Sequence, residues 1–225
     1  MNHKLAVITG TFNPTTNAHL ALGDIAKNSL GDECIVVFVP ARYSFLTSWK
    51  HMDDTEIIPD GKRFSMLSTA AMSRGYDASD CEINGVVSGK TIDTLRYLSS
   101  VYGIRKENVY YVCGSDKLPE LETWHRAEEL LNDYQFLVIQ RNHDDIQAII
   151  QSSDFLCRHQ NSLHFVTGDE KNQKISASAV RKALQSGETP CVIKSLVPDN
   201  VFVELERMCL HETRLSYCQS SRSEF

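Results

Sequence analysis

The sequence predicts an α/β fold with a doubly wound, mainly parallel sheet. Two patterns carry that prediction. Short apolar runs alternate with longer segments of helical periodicity, as βαβ crossovers require. A turn-rich polar stretch, GTFNPTTNAH (Gly10 to His19), lies between the first strand and the first helix, and a sheet of this kind holds its ligand crevice beyond the carboxyl ends of its strands. The chain has 225 residues and is 42% hydrophobic, enough for one substantial domain that buries its own core.

The elements follow in order. A strand over Leu5 to Thr9 stops at Gly10. A helix over Asn17 to Leu30 follows, because Ala18, Leu22, Ile25 and Ala26 recur at helical spacing and Gly31 can end it. IVVFV, Ile35 to Val39, is the second strand. Tyr43 to Gly61 reads as a long irregular insertion with Pro59 and Gly61, expected to form a mobile flap. A helix over Lys62 to Arg74, a strand over Cys81 to Asn84 and a helix over Thr91 to Tyr102 come next. A strand over Val109 to Cys113, a helix over His125 to Asn132 and a strand over Phe136 to Ile139 continue the alternation. A helix over His143 to Gln151 and a strand over Leu163 to Val166 complete it. The last helix lies in KISASAVRKALQSG, Lys174 to Gly187. Ser176 or Ser178 caps it, Ala177, Val180, Ala183 and Leu184 form its buried stripe, and Gly187 ends it. We divide the chain into a domain over 1–196 and a C-terminal extension over 197–225, whose polar end, His211 to Phe225, is expected to fray.

Composition excludes several classes. The longest apolar runs fall far short of the roughly 20 residues a membrane helix needs, and MNHK does not open a secretory signal. The seven cysteines are scattered without a C-x-x-C, so neither a disulfide framework nor a zinc site is expected, and a reducing cytoplasm is the expected home. Two C-x-H pairs, Cys157 with His159 and Cys209 with His211, lack the spacing of a structural metal site. A net charge of -6 argues against nonspecific nucleic-acid binding, which needs a basic face. It leaves an anionic ligand open, because charges beyond roughly 10 Å are screened while a cation at about 4 Å is worth around 4 kcal/mol at an effective dielectric near 20.

GTFNPTTNAH brings backbone N–H groups and a helix N-terminus to one point, which makes an anion site. Gly10 lets a ligand approach the backbone, Asn13-Pro14 sets a turn, and Thr15, Thr16 or Asn17 caps the helix. His19 then sits in the first helical turn, within reach of the same anion. The alternative is a capped helix with an incidental histidine. Neither G-x-x-x-x-G-K-[ST] nor G-x-G-x-x-G is present. In ISASAVR, Ser178 and Arg181 stand three apart on one flank near a helix N-terminus, so hydroxyl, guanidinium and helix dipole can converge on a phosphate.

GTFNPTTNAH is similar to the (H/T)-x-G-H signature of adenylyltransferase-type nucleotidyltransferases, with Thr16 and His19 in the named positions and Ala18 where glycine is usual. ISASAVR resembles their I-S-S-T-x-x-R signature through Ile175, Ser176, Ser178 and Arg181, with Ala179 in place of threonine or serine. TIDTL (Thr91 to Leu95), CGSDKL with TWHRAEELL (Cys113 to Leu131), and PARYSFLTSWK with KRFSML resemble the nicotinate or nicotinamide mononucleotide adenylyltransferases. The resemblance spans about Leu5 to Leu196.

It implies a Rossmann-like nucleotidyltransferase fold and the joining of ATP to a pyridine mononucleotide, with release of pyrophosphate. His19 and Thr16 would contact the ATP phosphates, and the backbone of Gly10, Thr11 and Phe12 would line the nucleotide site. Ile175, Ser176, Ser178 and Arg181 would hold the triphosphate, with Lys50 adding a cation from the flap. Gly114 and Asp116 would meet a ribose. Trp124 would stack on the pyridine ring, and Thr91, capping its helix, would face the ring's carboxylate or amide. Magnesium is expected with ATP, held by phosphate oxygens and water and without a protein carboxylate cluster. Asp116 as a plain loop acid and Trp124 as a core residue are the competing readings. Other phosphate substrates, such as phosphopantetheine, remain open, as do an inactive nucleotide-binding regulator and self-association.

Overall fold

The computed structural model describes residues 3–48, 50–141, 144–168, 175–186 and 188–208. Its centre is a six-stranded sheet formed by β1 (Leu5–Gly10), β2 (Ile35–Pro40), β3 (Asp77–Ala78), β4 (Val109–Gly114), β5 (Gln135–Gln140) and β6 (Leu163–Thr167). The strand order is β3-β2-β1-β4-β5-β6, and every neighbouring pair is parallel. The order reverses between β1 and β4, the place where an open parallel sheet leaves a crevice at its carboxyl edge.

Helices cover both faces, so the inner strands read as near-continuous apolar runs. On one face α1 (Asn17–Leu30), α3 (Asp60–Met72), α8 (Ala177–Gln185) and α9 (Pro190–Leu196) bury Leu20, Ala26, Met66, Leu67, Val180 and Ile193 against Ala6, Ile8, Val36 and Phe38. On the other, α4 (Thr91–Tyr102), α5 (Ala127–Asp133), α6 (Ile146–Gln151) and α7 (Asp154–Arg158) bury Ile92, Leu95, Leu130, Ile150 and Phe155 against Val7, Val109, Phe136 and Val138. A further helix, α10, spans 199–208. Its Val201 and Leu205 join the same buried cluster as Val180, and Lys62 of α3 pairs with Glu204, so the core continues past the boundary expected at Leu196. Residues 209–225, which include the expected tail, lie outside the described residues, as do Lys174 and Gly187. Among the described residues no helix is long and apolar enough to cross a membrane.

Two expectations are corrected. Cys81 to Asn84 is a turn, and the edge strand is the two-residue β3 at Asp77–Ala78; Cys81 is buried beneath that turn, which accounts for its apolar reading. Tyr43 to Gly61 is irregular only in part. It contains α2 (Tyr43–Ser48) and a 3-10 turn at Asp54–Glu56, and Leu46 and Ile57 pack with Ala41 in a small core of their own.

Arg63 of α3 sits on that helix's apolar face beside Met66, Leu67 and Ala70 and is 0% exposed. Its Nη1 donates to Thr11 O (2.5 Å), its Nη2 to Ala41 O (2.6 Å) and its Nε to Ile58 O (3.1 Å), while Asp60 supplies the countercharge. Three chain segments therefore share one buried cation. Replacing Arg63 with Met leaves those carbonyls unpaired. We expect a loss of about 3 kcal/mol of unfolding free energy, read by urea denaturation, and a loss under 1 kcal/mol would contradict the role assigned to Arg63.

Candidate functional site

The turn after β1 is held open by one glycine and filled by one ring. Phe12 adopts a positive φ of 45° and turns its side chain back under β1, where a Cβ on Gly10 would lie 3.1 Å from the ring. The space that Gly10 leaves is thus taken by Phe12, which corrects the expectation that a ligand approaches there. Asn13 is 0% exposed; its Nδ2 donates to Glu56 O (2.8 Å) and its Oδ1 accepts from Ile58 N (2.9 Å). The turn and the 43–61 segment are thereby fastened to each other.

Thr16 is the N-cap of α1, and the cap is reciprocal. Its Oγ1 accepts from His19 N, and His19 Nδ1 accepts from Thr16 N at 3.0 Å. Because Nδ1 is an acceptor, the proton of the neutral ring is placed on Nε2. The ring of His19 is half-buried and packs edge-on to Phe12 at 4.9 Å and 68°. Burial lowers its pKa to about 4, with the positive charges of Arg141 and Lys50 adding to the effect. His19 is therefore a neutral N–H donor at neutral pH. The capping box that fixes its tautomer is built from the two positions singled out in the sequence.

The helix α8 meets this turn. Ser176 is its N-cap, accepting from Ala179 N at 3.1 Å, so Ala179 keeps the cap through its backbone although its side chain departs from the motif. Arg181 reaches across: Nη1 donates to Asn13 O at 2.8 Å, Nη2 to Ser178 Oγ at 3.3 Å, and Nε lies 3.5 Å from Glu56 Oε2. Ile175 is half-buried next to the cap.

At the end of β4, Gly114 makes room for an ion pair. A Cβ there would lie 2.3 Å from Asp116 Oδ1 and 2.5 Å from Arg141 Nε, two atoms that stand 3.3 Å apart. Arg141 N donates to the buried Ser115 Oγ at 2.9 Å, which itself donates to Asp144 at 2.6 Å. Lys50 is exposed, and its pKa is lowered by partial burial and by Lys117, against the pull of Glu120 and Asp116. Arg141 and Arg63 are absent from the sequence reading. A cation closing the apolar run FLVIQ and a cation on the apolar face of α3 were the available signals.

Beyond β4 and β1 on the opposite face lie Thr91 and Trp124. Thr91 is the first residue of α4 and not its cap: Lys90 takes that position with extended backbone, and its carbonyl accepts from Asp93 N and Thr94 N. Nearby, the Tyr111 hydroxyl lies 2.8 Å from Thr9 Oγ1. Trp124 is half-buried, its ring 5.7 Å from that of Tyr111 at 84° and 6.4 Å from that of Phe136, so it is anchored against the core while part of the side chain stays exposed. Among the described residues no three His, Cys, Asp or Glu side chains converge in the manner of a metal cage.

Residues 7–183 match the cytidylyltransferase-like family model. A probable nicotinate-nucleotide adenylyltransferase of Caldicellulosiruptor bescii is 36% identical over 140 residues, covering 61% of this chain and 65% of that one, just under two thirds of its length. Another from Dehalococcoides mccartyi is 30% identical over 197 residues, covering 87% and 90%. Among solved structures, the Plasmodium falciparum nicotinic acid mononucleotide adenylyltransferase complexed with APC superposes with a TM-score of 0.69 at 18% identity, over 94% of this chain and 98% of that one. Its complex with NaAD gives 0.68 at 17% identity, over the same shares of the two chains.

The lowered pKa makes a prediction for the ligand-free protein. The His19 imidazole resonances should not titrate between pH 7.5 and 5.5 in NMR spectra, because the midpoint lies near 4; a midpoint at 6 or above would contradict the assignment.

Proposed function

The chain belongs to the cytidylyltransferase-like family, and from that premise we propose that it is a nicotinate-nucleotide adenylyltransferase, joining ATP and nicotinate mononucleotide into the dinucleotide of NAD biosynthesis. The observation that carries this reading is the 2.8 Å bond from Arg181 to Asn13 O. It joins GTFNPTTNAH to ISASAVR through two residues 168 apart in sequence, so that the two motifs can act on one polyphosphate.

In this reaction a phosphate oxygen of the mononucleotide attacks the α-phosphorus of ATP. A new P–O bond forms, the bond to the bridging oxygen breaks, and its electron pair leaves with pyrophosphate. No protein nucleophile is needed, so catalysis is positioning and charge stabilisation. His19, neutral with its proton on Nε2, donates to the phosphate oxygens where charge develops. Thr16 holds that ring by its backbone N–H and adds its hydroxyl. The backbone of Thr11 and Phe12 follows the nucleotide, while Gly10 acts indirectly by admitting the Phe12 ring.

Arg181 and Ser178 grip the triphosphate from α8. Ser176 and Ile175 present the start of that helix, whose positive end favours an anion. Lys50 and Arg141 supply further positive charge near His19. Gly114 and Asp116 face a ribose diol, with Asp116 exchanging its Arg141 partner for the sugar hydroxyls. The exposed part of Trp124 takes the cationic pyridine ring, and Thr91 takes its carboxylate. Among the described residues no carboxylate cage for magnesium is found, and the ion would arrive on ATP, bound by phosphate oxygens and water, neutralising the charge of the triphosphate when bound. The cytoplasm, where ATP is supplied and free thiols persist, is the place of action.

A paired assay tests this. With ATP and magnesium, the protein should release pyrophosphate and form the dinucleotide from nicotinate mononucleotide, with kcat/KM above that for nicotinamide mononucleotide. No product from either would overturn the proposal. His19→Ala should lower kcat by about two orders of magnitude or more with little change in mononucleotide KM; a near-normal kcat would exclude His19 from the transition state.

A further inference from the structure

The grip of Arg181 on a triphosphate leaves one acid without a task. Glu56 closes the 3-10 turn Asp54–Glu56, and its carboxylate stands 3.5 Å from Arg181 Nε. An anionic substrate gains nothing from an acid at that point. The backbone around Glu56 is tied down on both sides. Asp53 caps the turn by accepting from Thr55 N at 2.9 Å, Asn13 Nδ2 donates to Glu56 O at 2.8 Å, and Asn13 Oδ1 accepts from Ile58 N at 2.9 Å. Ile57 packs with Ala41 and Leu46. None of these contacts uses the Glu56 carboxylate, and the Glu56 side chain is 38% exposed. The fold therefore fixes the backbone of Glu56 and leaves its side chain able to swing.

The pairing is loose on the arginine's side as well. Nη1 of Arg181 donates to Asn13 O at 2.8 Å and Nη2 to Ser178 Oγ at 3.3 Å. Its Nε is buried and makes no hydrogen bond among the described residues. Glu56 thus neutralises the guanidinium from 3.5 Å without the alignment of a bond. A buried N–H left unbonded costs free energy that a better-placed acceptor recovers. Phosphate oxygens are such acceptors, because they carry charge and match the planar fork of an arginine. Carboxylate and phosphate therefore compete for one cation.

We propose that Glu56 is a displaceable counter-ion that sets the polyphosphate affinity of this site: its carboxylate holds Arg181 in the free protein, yields to the phosphates of ATP, and returns as pyrophosphate leaves. This role rests on the assignment of Arg181 to the triphosphate. Because each binding event breaks the pair, Glu56 weakens the hold on ATP and on pyrophosphate alike. The second effect has a use. Pyrophosphate must leave before the next ATP enters, and differences in affinity at one site are expressed mostly in the rate of departure.

The test titrates inorganic pyrophosphate with magnesium into wild-type protein, Glu56→Gln and Glu56→Ala by calorimetry. Both variants should bind it about fivefold more tightly, the upper end for a partly exposed ion pair. The KM for ATP should fall in the same direction, and that for nicotinate mononucleotide should stay where it was. Agreement between the two variants excludes a new contact made by the glutamine amide. The urea midpoint should not move, because the turn is fastened through Glu56 O, which both variants keep. Unchanged or weaker pyrophosphate binding overturns the proposal, since Glu56 would then be a bystander or a support for Arg181. Failure of the wild-type protein to make the dinucleotide overturns the adenylyltransferase assignment, while tighter pyrophosphate binding by the variants would still uphold the counter-ion.

Discussion

The site depends on a cation that never meets solvent. Where a chain leaves a parallel sheet and turns sharply, its carbonyls lose their ladder partners and must find others. Here Thr11, Ala41 and Ile58, from three separate segments, all turn carbonyls toward the Arg63 guanidinium. An arginine suits this because its donors spread in a rigid plane. A lysine would offer a single point of charge in the same space. Asn13 repeats the solution on a smaller scale, answering one carbonyl and one N–H of the 56–58 strand-like stretch. The phosphate turn is thus rigid because the segment beside it is rigid, and each depends on the other.

Charge is divided in the same economical way. The chain as a whole is acidic, yet Arg141 and Arg181 are each paired with an acid or a carbonyl near the turn after β1, and Lys50 lies within electrostatic reach of Glu120 and Asp116. Such tethering keeps mutual repulsion low in the free protein. Under the function proposed above, a polyphosphate would take over partners that are already in position, so little reorganisation would accompany binding. His19 stands apart from this group: burial keeps it neutral, with the neighbouring cations adding to the effect, so its Nε2 is left as a neutral donor.

The parts of this molecule that could be read from its sequence are those whose physics is local. β1, β2, β4 and β5 are buried on both faces and so appear as apolar runs. The caps at Thr16 and Ser176 are written within four residues of the helices they start. β3 escaped notice because it is two residues long and gains its place from β2 alone. The helix at Tyr43–Ser48 escaped because it buries only Leu46, too little for a periodic signal. Within the site, Thr16, His19, Ser178 and Arg181 were legible as paired motifs. Arg63 and Arg141 were not, because the partners that matter, Thr11 and Ala41 for one and Asp116 for the other, lie more than 20 positions away and the neighbours of each in sequence say nothing of them.

Gly10, Phe12 and His19 behave as a linked set with a mechanical sense. The bare α-carbon of Gly10 admits the Phe12 ring, and the edge of that ring supports the imidazole. A methyl group added at position 10 would press on the ring, and the ring on the imidazole. The three positions therefore form a single unit of inheritance: relatives that lose the glycine should also replace the phenylalanine with something smaller. The histidine ring is supported from behind, by two residues that pack beneath it.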